Sequence, residues 1–97
     1  MLQAKIQNDY ITPVEKSTDK ILEFIKKSIR KSKSSDMKID ISSLNLFDAS
    51  KVATVASTYH YLKFNEGKID WLVGSKEVEK MLRPLNLGNS NFIFAWK

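Results

Sequence analysis

The chain has 97 residues, 42% of them hydrophobic, with five Phe, three Tyr and two Trp against only three Gly and two Pro. That composition suits one folded domain over residues 1–97 and excludes a low-complexity or collagen-like chain. There is no cysteine and a single histidine, so disulfide staples, thiolate chemistry, Cys-ligated metals and any mechanism that needs two imidazoles are excluded. Sixteen Lys and Arg against eleven Asp and Glu leave a net charge of +5. Such a balance permits nucleic acid, an anionic surface or an acidic protein as partner and requires none of them.

The N-terminal residues Leu2, Ala4 and Ile6 alternate with Gln3, Lys5 and Gln7, the period of a half-buried strand that extends toward Ile11 and stops at Pro13. From Ser17 the period becomes helical. Ile21, Leu22, Ile25 and Ile29 share one face, while Lys16, Lys20, Lys27, Arg30 and Lys31 lie opposite. Ser17, Thr18 and Asp19 are the candidate N-caps. A Ser/Lys-rich turn over 32–36 follows.

Met37, Ile39 and Ile41 alternate with Lys38 and Asp40 as a second strand. Leu44, Leu46 and Phe47 then read as an apolar connection that ends at Asp48, a residue suited to cap the second helix. Val52, Val55, Ala56, Tyr59 and Leu62 fall in one sector of that helix, and Gly67 is the expected left-handed stop. Ile69, Trp71, Leu72 and Val73 make a third strand. Ser75 caps a third helix with Val78, Met81 and Leu82 as its stripe, and Pro84 limits it. Phe92 to Trp96 is the last strand. At five residues it is also the longest apolar run, far short of the ~20 that span a bilayer.

Alternation of strands and helices over short connections predicts an α/β domain, with about four strands in parallel central pairs and three helices. The expected core is Ile21, Leu22, Ile25, Ile29, Ile39, Ile41, Val52, Val55, Ala56, Tyr59, Ile69, Leu72 and Met81. The N-terminus lacks the apolar stretch and cleavage site of a secretory signal, so a cytoplasmic protein is expected.

The stretch from Lys38 to Ser50, a strand ending in Asp40, a short apolar loop and then Asp48-Ala49-Ser50, resembles the central motif of the STAS domain family, the anti-sigma-factor antagonists and their relatives. Gly67 to Val73 and Val78 to Leu87 resemble the family's later strand and helix, so the likeness spans roughly residues 17–88. It implies a STAS-like fold without a cofactor or metal, in a bacterial regulatory protein. The implied partner is a protein such as an anti-sigma kinase or a transporter or signalling component.

The family's phosphoacceptor hydroxyl sits at a helix N-terminus, where added charge switches docking. Ala49 takes that position here and has no hydroxyl, and Lys51 replaces the family's glycine. The resemblance therefore implies a partner-binding surface of Asp48, Ala49, Ser50, Lys51 and Thr54 that is not switched at the usual residue. Ser50 is the substitute phosphoacceptor, and Asp40 is the matching strand-end acid.

Plainer roles stand beside these. Asp48 to Ser50 also fits a simple helix start, Asp40 a turn, His60 a structural imidazole, and Trp71 and Trp96 core residues. The basic face of the first helix offers an alternative reading as a nucleic-acid or anionic-surface binder. It lacks the interleaved aromatics on which bases stack. No nucleophile, base and stabilising group can be assembled, so an enzyme is not expected.

Overall fold

The computed structural model describes residues 10–94. Helix α1 (Thr18–Lys31), strand β1 (Met37–Asp40), helix α2 (Leu46–Phe64), strand β2 (Ile69–Val73), helix α3 (Lys76–Leu82) and strand β3 (Ser90–Phe94) follow in chain order. A single 3-10 turn, Arg83–Leu85, extends α3 past Pro84. The three strands form one parallel sheet in the order β1-β2-β3, as expected when each strand pair is joined by a crossover helix.

The sheet has three strands among the described residues where about four were expected. The alternating segment Leu2 to Ile6 lies outside the described residues. Ile11, at its far end, makes one parallel bridge to Ile39. Its N–H donates to the Lys38 carbonyl and its carbonyl accepts from the Asp40 N–H, both at 2.8 Å. Ala95 and Trp96 also lie outside the described residues.

Burial alternates along the strands. Met37 and Ile39 of β1, with Ile69, Trp71 and Val73 of β2, are buried beneath the helices. The opposite face carries the in-register rows Lys38–Asp70–Asn91 and Asp40–Leu72–Ile93, and Lys38, Asn91 and Ile93 are exposed there. Among the described residues, the helices cover one side of this parallel sheet, and the other side mixes polar residues with Leu72 and Ile93. Trp71 is fully buried, and its indole N–H donates to the Ser90 hydroxyl at 3.0 Å, so burial leaves no polar atom unpaired.

Helix α1 follows the sequence pattern closely. Ser17 caps it by accepting the Lys20 N–H, and Ile21, Leu22, Ile25 and Ile29 are buried. Its C-terminal carbonyls are capped from another helix. The Lys63 ammonium donates to the Ile29 carbonyl at 2.8 Å and also to that of Arg30, opposite charge meeting the negative end of the helix dipole.

Helix α2 departs from the pattern. Its buried arc is Ala49, Val52, Ala53, Ala56, Ser57 and His60, which keeps Val52 and Ala56 of the predicted stripe and turns away from the rest of it. Val55 and Tyr59 are only half-buried, and Leu62 is 76% exposed. Small side chains win the inner face because they let the helix backbone approach its neighbours closely, which a row of Val, Tyr and Leu would prevent. Two further core assignments also change. Leu72 is half-buried on the sheet face opposite the helices, and Met81 is exposed while Leu82 beside it is fully buried. The helix ends on Asn65, which adopts the left-handed conformation at φ 60°. Gly67, the expected stop, lies two residues further on, at φ 88°.

Candidate docking surface on the second helix

Asn45, not Asp48, opens α2. The Asn45 side chain accepts the Asp48 N–H at 2.8 Å, which places Leu46 and Phe47 in the first turn and Asp48 at its third position. The connection read from Leu44 to Phe47 is thus two residues shorter, because apolar side chains can occupy a first turn whose cap precedes them. Asp48 still lies where a negative charge meets the positive end of the helix dipole. The usable signal was Asn45 followed three residues later by an acid, a capping-box spacing.

This shift brings Phe47 to the surface. Phe47 is 86% exposed, the largest value among the exposed large apolar side chains, and Leu46 beside it is 36% exposed. Of the partner-binding residues expected from the sequence, Lys51 and Thr54 are exposed, and Asp48 and Ser50 are half-buried. Ala49 is fully buried. Its methyl group belongs to the core, so it is removed from the contact surface. The Ser50 hydroxyl donates to the Phe47 carbonyl at 3.2 Å, which ties it back to its own helix.

Lys51 reaches across to α1, where its ammonium lies 3.7 Å from an oxygen of Asp19, both side chains being largely exposed. The Thr54 carbonyl accepts the hydroxyls of Ser57 and Thr58 at 3.2 and 2.9 Å. Asp40 stands apart from this group. One of its carboxylate oxygens accepts both the Ser42 N–H at 2.8 Å and the Ser42 hydroxyl at 2.6 Å. It therefore closes the turn after β1, which is a structural assignment.

The outward face of α2 is unusual in charge. Phe47, Lys51, Thr54, Thr58 and Tyr61 succeed one another along it, all exposed. Over its whole length α2 carries only Asp48, Lys51 and Lys63 as charged residues, whereas α1 carries Asp19, Lys20, Glu23, Lys26, Lys27, Arg30 and Lys31. A solvated helix face ordinarily reads like α1, and one poor in charge on both sides ordinarily has neighbours on both sides.

His60, which the sequence places at the margin of this helix, is completely buried, with both ring nitrogens hydrogen-bonded. Among the described residues no group of three or more His, Asp and Glu could hold a metal ion. None of their helices is long and apolar enough to cross a membrane. Comparisons with protein-family models, with curated proteins and with solved structures found no match to this chain.

Proposed function

We propose that this chain is a small regulatory protein-binding module that docks a protein partner through the first turns of α2. The observation that carries the reading is Phe47, a large aromatic side chain 86% exposed on the rigid first turn of a capped helix. Aromatic anchors of this kind, presented by an ordered element and rimmed by polar groups, dominate the energetics of protein interfaces. Leu46 widens the apolar patch, while Ser50, Lys51 and Thr54 supply the polar rim.

The resemblance to STAS domains supports the same end of the same helix as the docking site. It favours a kinase or a transporter or signalling component as partner. The Ala49 methyl, buried where that family presents a hydroxyl, favours binding that needs no phosphorylation at that residue.

The test is site-specific photo-crosslinking in cells of the native source. A benzoylphenylalanine at position 47 should capture one protein, which the same group at Lys80 on α3 should not. Phe47→Ser and Lys51→Glu should each weaken binding of that protein at least several-fold while the chain stays folded. Equal capture from positions 47 and 80 would remove the docking reading. Stoichiometric phosphate on Ser50 that abolishes binding would replace constitutive docking with a switched one.

A further inference from the structure

We infer that the C-terminal end of α1 is a binding face for the phosphate backbone of double-stranded nucleic acid, recognised by charge and not by sequence. It lies at the opposite end of the α1–α2 pair from Phe47 and does not rest on the docking reading.

The charge pattern changes halfway along α1. Its first half mixes Asp19, Lys20 and Glu23, as a solvated face does. From Phe24 to Ser35 the chain carries Lys26, Lys27, Arg30, Lys31 and Lys33 and no acid. Folding adds a sixth cation. The Lys63 ammonium, from the last turn of α2, donates to the Ile29 and Arg30 carbonyls, so it stands at the same helix end. Lys26 is half-buried and the other five are exposed. Ion pairs among the described residues join Lys51 to Asp19 and Arg83 to Glu79, and neither involves any of the six.

The fold accounts for some of these cations. Lys63 caps α1, and the dipole of α1 favours Arg30 and Lys31 in its last turn. Tyr59 of α2 holds two more side chains. The Lys26 ammonium lies 5.7 Å from its ring centroid, and Arg30 Nη1 donates to its hydroxyl at 3.1 Å. The side chains of Lys27, Lys31 and Lys33 make no hydrogen bond or ion pair among the described residues. Gathering six like charges lowers stability by mutual repulsion, which an anionic ligand relieves. Tyr59 also prepares the face, since long side chains already held in place lose less freedom when a ligand arrives.

A duplex fits this face better than other polyanions do. Lys27, Arg30 and Lys31 stand at i, i+3 and i+4 on a rigid helix, neighbours at about 5–6 Å, and a duplex presents one charge per ~1.7 Å of its axis. A single strand would need exposed rings on which bases stack. Tyr59, which holds this cluster together, is half-buried and already engaged. A helix that lies on a membrane adds an apolar face to its cations, and no large apolar side chain is exposed between Ser17 and Lys33. Contacts to phosphates alone carry no base specificity.

The test titrates the full chain into a short fluorescent DNA duplex, and into an RNA duplex of the same sequence, over a range of salt. With about five phosphates engaged, log K against log salt should have a slope of about −4.5, a loss of roughly 500-fold between ~50 and ~200 mM. Binding to either duplex with such a slope supports the inference, and the stronger of the two identifies the nucleic acid. Lys27→Gln combined with Lys31→Gln should weaken binding several-fold and make the slope shallower by about 2. Both side chains are exposed, so the fold should survive. Lys76→Gln with Lys80→Gln, the same change of charge on α3, should lose far less. Phe47→Ser should bind as the wild type does, which separates this face from the docking surface. Absence of binding to both duplexes at ~50 mM salt overturns the inference. So does an equal loss from the α3 pair, which would make the attraction a property of net charge. Binding to phosphatidylserine vesicles without binding to either duplex overturns it as well and assigns the face to a membrane.

Discussion

The side chains of His60 and Asn89 meet inside the protein, the Asn89 amide nitrogen lying 3.2 Å from the imidazole Nδ1 and 2.9 Å from the Ser57 carbonyl. The other ring nitrogen, Nε2, lies 2.8 Å from the Ser35 carbonyl. A carbonyl on Nε2 and an amide donor on Nδ1 match the Nε2–H tautomer. One fully buried imidazole thus ties α2 to the loop before β1 and to the loop before β3.

That arrangement predicts the Nε2–H tautomer over the Nδ1–H tautomer in the imidazole region of a ¹⁵N–¹H NMR spectrum. His60→Phe should destabilise the protein by ~1–3 kcal/mol, because the Ser35 carbonyl and one Asn89 N–H lose their partner in the interior. Chemical denaturation measures this. A loss within error of zero would mean that water reaches both groups.

At the start of α2 the amide of Asn45 and the carboxylate of Asp48 have different standing. Asn45→Ala should cost ~0.5–2 kcal/mol as the loss of an N-cap. Asp48→Ala should cost less, ~0.3–1 kcal/mol, since only its charge at the helix dipole is removed. Denaturation midpoints of the two variants decide the order, and a reversed order would return the cap to Asp48.

The glycines divide in the same way. An alanine Cβ at Gly67 would stand 2.2 Å from the Ser35 carbonyl oxygen, at a φ of +88°. Gly67→Ala should therefore cost at least the ~1–3 kcal/mol of a strained backbone, and it should also disturb the carbonyl that His60 needs. At Gly88 nothing lies within 4 Å of such a Cβ. Gly88→Ala should be neutral or stabilising by up to ~1 kcal/mol, through the unfolded chain. Thermal unfolding of the pair provides the comparison.

Ile39 and Met81 share a place in the core expected from the sequence, and the structure parts them. Ile39 is fully buried and Met81 is 58% exposed. Ile39→Ala should cost ~2–5 kcal/mol, the range for a large-to-small change in a packed interior. Met81→Ala should stay within ~0.5 kcal/mol of wild type, as surface changes do. Equal losses measured by urea titration would mean that α3 is rotated from the position described.

How much was legible in the sequence differs from element to element. Helix α1 was legible almost whole, since its apolar residues recur at 21, 22, 25 and 29 behind Ser17, and one buried face against one solvated face leaves a strong period. Strand β1 was legible from alternation, with Asp40 at its end. The last strand was legible only as the apolar run from Phe92, and the structure starts it two residues earlier, at Ser90. Helix α2 was legible in part. Val52 and Ala56 of the predicted stripe are buried, but the rest of the inner face is Ala, Ser and His and the outer face carries Phe47 and Leu62, so side-chain hydropathy points only partly to the right arc. What the sequence by itself determined is the alternating order of elements, because local periodicity and caps act within a few residues. Only the tertiary structure decided which side of α2 faces in and which partners His60 finds. Backbone approach and buried hydrogen bonds join residues twenty-five and twenty-nine positions apart, and no local pattern encodes a contact at that range.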